Sequence, residues 1–395
     1  MNWIAQLIAV TSVNIRTIPQ RLGSSAVAIV GIAGVVVVFV SVLSIAEGFT
    51  AALRDAAAPD RVIVMRGGSD TEMMSGLGGD GVKIIQNAPG IRASADGPLA
   101  SPELFVVVNV PTRAKGTDAN VPLRGVLPIA FKVRSEVTIV EGRTFAPGSN
   151  EIIVGRAASR QFAGLDLGST PRWGETTWKV VGVFDSNGSV AESEIWCDAR
   201  VLQPAYHRGN SFQSMHVRLA SPSSFATFKD ALTTDPRLNV GVRTEAEYYA
   251  NQSQIIRTMI TTVGFLIASL MGIGAVFGAI NTMYNAVASR MREIATLRAL
   301  GFGRFAVLVS VLAEAVVLSV IGGIAGGLLA WAAFDGYQSN TINWQSFSQV
   351  AFAFKVTPGL LLQGIIYAAV MGLAGGLFPA FRAARLPVVT ALREL

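Results

Sequence analysis

A chain of 395 residues that is 51% apolar and only 15% charged is too hydrophobic for an ordinary soluble enzyme, yet too polar to lie in lipid throughout. Its single cysteine, Cys197, excludes an intrachain disulfide and a thiolate metal cluster. The two histidines, His207 and His216, stand nine apart with no carboxylate spaced as a co-ligand, so both read as ordinary surface or core residues and no metal is expected.

Residues 1–24 form an amphipathic leader carrying Arg16 and Arg21 and no acid. The first of four runs long enough to cross a bilayer, which takes about 20 residues, is "SAVAIVGIAGVVVVFVSVLSIA" (25–46). Its length and amphipathic continuation (Phe49, Leu53, Ala57) favour an uncleaved anchor, although Ser44-Ile45-Ala46 resembles a small-residue cleavage site. Residues 47–258 contain no further such run and read as an α+β domain with a helical stalk. Strands are expected in "RVIVM" (61–65), "ELFVVVNV" (103–110), "EIIVG" (151–155), "WKVVGVF" (178–184) and "MHVRL" (215–219). Asn187-Gly188 signals a turn between "VVGVF" and "SEIWC". Helices are expected at 156–164 and at 221–235, the latter with Ser221 as N-cap ahead of Pro222. The glycine-rich 67–81, "GGSDTEMMSGLGGDG", lacks the lysine ending of a phosphate loop and carries Asp70, Glu72 and Asp80, so it reads as a flexible outer loop. Its Met73 and Met74 offer a weak apolar contact to a partner or cargo.

A polar helix from about Thr244 to Arg257 should run straight into the second membrane helix, 259–284. A connecting segment (285–304), a third helix (305–334), a short loop (335–358), a fourth helix (359–381) and a tail (382–395) follow. Charge sets the orientation. Arg290, Arg292, Arg298 and Arg304 face a single Glu293 in the segment after helix two, and the tail has Arg382, Arg385 and Arg393 against Glu394. The loop after helix three has only Lys355 as a base, so both termini and the arginine block are expected in the cytoplasm and the large domain outside. The net charge of +6 is then mostly topology, with no nucleic acid implied.

The arginine block, "SRMREIATLRALGFGR" (289–304), suits a helix from about Ser289 to Leu300 with Met291, Ile294 and Leu297 or Arg298 along one face. Arg290 and Glu293 can pair, and Gly301 is placed to cap the C-terminus. A bare topology signal needs no amphipathic helix with a defined stop, whereas a docking helix does. Glu314 lies about three turns inside the third helix, where a carboxylate must face protein or water, and is read as a packing contact. Gly274/Gly278, Gly322/Gly326 and Gly323/Gly327 are spaced for close helix approach. No catalytic constellation and no ATP-binding loop is present, so the chain itself is no ATPase.

The order of one helix, large domain and three helices, together with "REIATLRALGFGR", "EAVVLSVIGGIAGGLLA" and the ending "FPAFRAARLPVVTALREL", resembles the membrane subunit of MacB-like ABC transporters, of the FtsX-type permease family. Within the large domain, "EGRTFAPGSNEIIVGRAASRQF" and "WKVVGVF" resemble that family's extracytoplasmic core. The resemblance implies four transmembrane helices with an α+β domain inserted between helices 1 and 2, in the inner membrane of a bacterium. It implies that Arg292, Glu293, Leu297, Arg298 and Gly301 belong to a coupling helix seated in a groove of an ATPase, which alone binds ATP and Mg. Glu314 matches an acid often found in the third helix, and "ALREL" a cytoplasmic tail near the ATPase. The ATPase is expected as a separate chain, since nothing like one precedes residue 1 or follows Leu395. A second permease subunit is implied too, by symmetry an identical one, with room for a periplasmic adaptor. Members of the family export a substrate, release lipoproteins or activate a cell-wall hydrolase; the large outer domain favours export by mechanotransmission.

Overall fold

The computed structural model describes residues 11–12, 22–343 and 348–387, which leaves most of the leader and the "ALREL" ending outside the described residues. The chain divides into two compact units. One comprises Met1–Glu47, Thr258–Tyr337 and Phe354–Leu395; the other comprises Gly48–Arg257 and Gln338–Ala353.

Helix α1, Leu22–Arg54, continues eight residues past the expected apolar run and so carries its C-terminal end into the second unit. That unit is built on a mixed nine-stranded sheet. Its strands are β1 (Arg61–Arg66), β2 (Ala100–Pro111), β3 (Asp118–Val126), β4 (Thr138–Gly142), β5 (Glu151–Gly155), β6 (Lys179–Asp185), β7 (Ile195–Asp198), β8 (Ser214–Arg218) and β9 (Val240–Thr244). They lie in the order β9-β1-β8-β2-β3-β7-β5-β6-β4, and only the β3–β7 and β5–β6 pairs are parallel. Five short helices complete it: α2 (Gly79–Gln86), α3 (Ala130–Val133), α4 (Arg156–Gln161), α5 (Ala199–Ala205) and α6 (Phe225–Thr233).

Alternation along β1 and β8 sorts the side chains between two faces. Val62, Val64, Met215 and Val217 pack with Val82 and Ile85 of α2 and with Phe228 and Leu232 of α6. The opposite face carries Ile63 and Met65, which pack on Tyr248, together with the charged residues Arg61 and His216. The twelve-residue β2 joins the two halves of the sheet, because its first residues pair with β8 and its later ones with β3. A second core gathers Leu104, Val106, Val121, Ile152, Phe162 and Trp178 in the half beyond β2.

Several expectations need correction. The helix expected at 156–164 stops at Gln161, because Phe162 turns to extended backbone and is fully buried in the core. Ser221 does stand at the N-cap position ahead of Pro222, but its side chain makes no capping hydrogen bond and the first turn is not α-helical. Pro222–Ser224 is a single 3-10 turn, the Ser221 hydroxyl meets those of Ser223 and Ser224, and α6 begins at Phe225. Asn187 and Gly188 do form a turn with positive φ (53° and 73°), yet the strands they separate do not pair, since β5 lies between β6 and β7. Segment 67–81 is not an open loop: Glu72–Met74 is a buried-edge 3-10 turn, Leu77–Gly78 pairs with Ser211–Phe212, and α2 starts at Gly79. Met73 and Met74 remain exposed.

Helix α7, Glu245–Ala288, fuses the expected polar stalk and the second apolar run into one element of 44 residues, roughly 66 Å long at 1.5 Å per residue. It is followed by α8 (Met291–Ala299), α9 (Arg304–Phe334) and α10 (Pro358–Arg385). Among the described residues, α1, α7, α9 and α10 are the four helices long and apolar enough to cross a membrane. The glycine pairs have distinct partners. A Cβ on Gly322 or Gly326 would strike α1 at Ile29, Ile32 or Ala33, while one on Gly323 would strike Ala368 of α10. Gly372 and Gly376 of α10 return the contact onto Ala315 and Ser319 of α9. Gly274 and Gly278 on α7 face open space.

The segment expected as a short outer loop forms an antiparallel hairpin, β10 (Gln338–Asn343) with β11 (Ser348–Ala353), and belongs to the sheet-bearing unit. Gln161 Nε2 donates to Gln349 Oε1 (2.6 Å), the Ala351 amide donates to Ser193 Oγ (2.8 Å), and Phe352 meets Phe49 edge-on at 5.7 Å.

Gly326→Leu should overpack the α1–α9 contact, where even a Cβ would lie 2.5 Å from the Ala33 carbonyl. The expected loss is about 1–3 kcal/mol, read as a fall of roughly 2–12 °C in the thermal midpoint in detergent. Gly278→Leu should leave that midpoint within about 2 °C.

Candidate functional site

Helix α8 is short, and its sequence explains both why it exists and where it ends. Its C-terminus closes in a Schellman arrangement: the Gly301 amide donates to the Arg298 carbonyl (3.1 Å) and the Phe302 amide to the Leu297 carbonyl (3.1 Å). Gly301 has φ +93°, a conformation that side chains with a Cβ avoid. Ile294 and Ala295 are buried, whereas Arg292, Glu293, Thr296, Ala299 and Leu300 are exposed. Leu300 is 73% exposed, an apolar side chain presented outward at the end of a basic helix.

Arg290, just ahead of α8, and Arg298 within it turn inward. Arg290 is buried; its Nη1 donates to Glu314 Oε2 of α9 (2.9 Å) and its Nε to Glu293 Oε2 (3.2 Å). Glu314 is therefore a partner of the residue just ahead of α8. Arg298 Nη1 donates to the carbonyls of Ala384 (3.1 Å) and Leu386 (2.7 Å), satisfying groups left over at the C-terminus of α10. Of the residues singled out from sequence, Arg290, Ile294 and Arg298 thus hold the helix to α9 and α10, Leu297 is half-buried, and Arg292 and Glu293 face out. Gly322, Gly323, Gly326 and Gly327 lie on α9, in its contacts with α1 and α10.

A second constellation lies in the sheet-bearing unit and was not recognised as a group from sequence. Arg61 of β1, Glu103 of β2, Arg124 of β3, His216 of β8, Glu72, Arg134, Glu194 and Glu245 are all buried. Arg124 is its centre: Nη1 donates to Glu72 Oε1 (2.7 Å) and Glu103 Oε2 (2.9 Å), Nη2 donates to Glu194 Oε1 (2.7 Å), and the guanidinium lies over the Phe105 ring. Arg61 joins three separate elements. Its Nε donates to Glu245 Oε2 at the start of α7 (2.7 Å), its Nη1 to Glu136 Oε2 (2.7 Å), and its Nη2 to the Ala56 carbonyl just past α1. His216 lies between carboxylates, with Nδ1 2.8 Å from Glu245 Oε1 and Nε2 3.4 Å from Glu72 Oε1.

Burial on its own would raise the Glu72 carboxyl, but Arg124 and His216 outweigh it and hold the group well below the ordinary carboxylate range. Glu103 is lowered by the same contest, with Arg134 the strongest opposing charge. His216 is pushed down by burial and by Arg134, yet Glu103, Glu245 and Glu72 together lift it above its ordinary value. Glu72, Glu103 and His216 converge closely enough to suggest metal ligation, with their ligand atoms within 4.8 Å of one another. Arg124 Nη1 already bonds the same two carboxylate oxygens, so a guanidinium stands where a cation would bind. The adjoining cavity, of about 30 Å³, has room for about one water and none for a cargo. The cluster's chemistry is therefore structural: it holds elements in register.

The MacB-like periplasmic core domain family matches residues 25–235, and the FtsX-like permease C-terminal family matches residues 265–388. A macrolide export ATP-binding/permease protein MacB of Paracoccus denitrificans is 26% identical over 372 residues, covering 84% of this chain and 54% of that protein. The uncharacterized ABC transporter permease YknZ of Bacillus subtilis is 25% identical over 283 residues, 66% of each. The periplasmic region of MacB from Actinobacillus actinomycetemcomitans aligns with a TM-score of 0.38 at 11% identity, over 50% of this chain and 94% of that one. The chain spans about half the length of the MacB relatives it matches.

Because Glu72 and Glu103 are lowered, their contribution to stability is complete above the ordinary carboxylate value of 4.5 and is lost as pH falls below it. The thermal midpoint of the sheet-bearing unit should therefore hold between pH 5 and 6 and drop on further acidification, by about 2–4 °C for each kcal/mol lost. Arg124→Met, which removes the cation shared by Glu72, Glu103 and Glu194, should cost about 3–5 kcal/mol at neutral pH.

Proposed function

Because the chain belongs to the MacB-like, FtsX-type ABC permeases, we propose that it is the membrane subunit through which ATP hydrolysis on a separate ATP-binding partner drives movement of its sheet-bearing domain, and so exports a substrate. In this reading α8 lies on the cytoplasmic side and the sheet-bearing unit outside, following the excess of arginine around α8 and the end of α10. A second permease subunit, by symmetry an identical chain, completes the assembly.

The observation that carries the reading is the division of labour in α8. Arg290 and Arg298 fasten it to α9 and α10, and Arg292, Glu293, Thr296 and Leu300 look outward. A helix held this way transmits a push instead of absorbing it. Two residues separate it from α7, whose other end begins at the buried Glu245. The relay would run from the ATPase to α8, along the unbroken α7, and into the sheet. Leu300 and Phe305, both exposed apolar side chains beside arginines, suit a groove that is apolar in the middle and acidic at its rim. The inward residues then act by positioning α8 and the outward ones by contact, which sharpens the expectation from sequence.

The test pairs this chain with its proposed ATP-binding partner, in lipid nanodiscs. Leu300→Asp with Phe305→Asp, both at exposed apolar side chains, should lower complex recovery and permease-dependent ATP turnover about tenfold or more, leaving the thermal midpoint of the permease unchanged. Wild-type turnover and recovery in that variant would contradict the docking of α8.

A further inference from the structure

We infer that His216 is a proton-binding site whose occupancy latches the start of α7 to the sheet. The inference stands on the buried cluster alone and does not depend on any ATPase partner. His216 is fully buried, and both ring nitrogens face carboxylate oxygens: Nδ1 faces Glu245 of α7 at 2.8 Å, while Nε2 faces Glu72 of the 3-10 turn at 3.4 Å and Glu103 of β2 at 3.8 Å. A neutral imidazole has one N–H and one lone pair, so it can serve only one of these sides. Whichever nitrogen lost its proton would aim a lone pair at a carboxylate inside a poorly solvated site. The imidazolium serves both and bridges α7 to β2 and the turn.

The surroundings agree with this. Glu72, Glu103, Glu136, Glu194 and Glu245 meet Arg61, Arg124 and Arg134, so carboxylates outnumber guanidinium groups and a proton on His216 narrows the difference. Ser214, two residues along β8, adds a hydroxyl that donates to Glu72 Oε1 (2.5 Å) and carries no charge. Tyr248 and Tyr249 cover the cluster from α7 and are uncharged below about pH 10. The same carboxylates lift His216 above its ordinary value against the effects of burial and Arg134. Its stabilising contribution is therefore complete below the ordinary histidine value of 6.5 and is lost as pH rises through the lifted one.

The chain has two histidines, which makes the test clean. Full-length protein in detergent micelles, carrying His207→Gln and ring-labelled histidine, gives one imidazole signal to titrate from pH 5 to 9. The expected midpoint lies above the ordinary histidine range, and Glu245→Gln should lower it. Amide exchange of residues 245–252, corrected for its intrinsic pH dependence, should speed up roughly tenfold or more across the same transition. In His216→Gln, which cannot bridge both sides by charge, exchange should be fast and free of that step. A midpoint at or below the ordinary range, a midpoint indifferent to Glu245→Gln, or an exchange step that persists in His216→Gln would each overturn the inference.

Discussion

The sheet-bearing unit depends on the guanidinium of Arg61. That one group reaches the carbonyl of Ala56 after α1, the carboxylate of Glu245 at the start of α7, and Glu136 in the segment after α3. Taking such charges out of water costs several kcal/mol each, and only well-formed partners offset it. Misplacement by an ångström would leave a buried charge without its counterpart, so the arrangement tolerates few alternatives. An apolar cluster of the same volume could be as stable, but it would allow the ends of α1 and α7 to slide. The charged network fixes them in register.

The far end of α7 repeats the logic. Arg290, two residues beyond it, is buried against Glu314 of α9, and Arg298 closes the carbonyls at the end of α10. The long helix thus has a buried ion pair at or beside each end, with an unbroken hydrogen-bonded backbone between them. Glycines finish the construction by letting α9 lie against α1 on one side and α10 on the other. A strut anchored at both ends is what the proposed relay of mechanical work would require.

Periodicity and apolar length made the membrane helices legible, and β5 is read from "EIIVG" residue for residue because its inward positions are uniformly apolar. Gly301 was legible as a stop because few other residues take its φ. The charged cluster was not legible, since its members come from eight positions between 61 and 245 and each looks like an isolated polar residue in a strand or turn. Their signal was the misfit itself: Arg61, Glu103, Arg124 and His216 stand in otherwise apolar strands, where an unpaired charge would be prohibitive. β3 is hard to read from sequence, since Pro122 argues against a central strand. It is tolerated because β7 pairs only with residues from Leu123 onward, so the missing N–H lies beyond that ladder. The hairpin at 338–353 was missed because its strands are short and polar, and their stability comes from Phe49, Gln161 and Ser193 far away in sequence.

The most direct measurement is amide hydrogen exchange at and just past the end of α1, residues 48–56, in full-length protein carrying Glu245→Gln. If Arg61 holds both helix ends as one unit, loosening its partner on α7 must also expose amides on α1, and the expected result is faster exchange in both segments together. Faster exchange confined to residues 245–252, with 48–56 unchanged, would contradict the account.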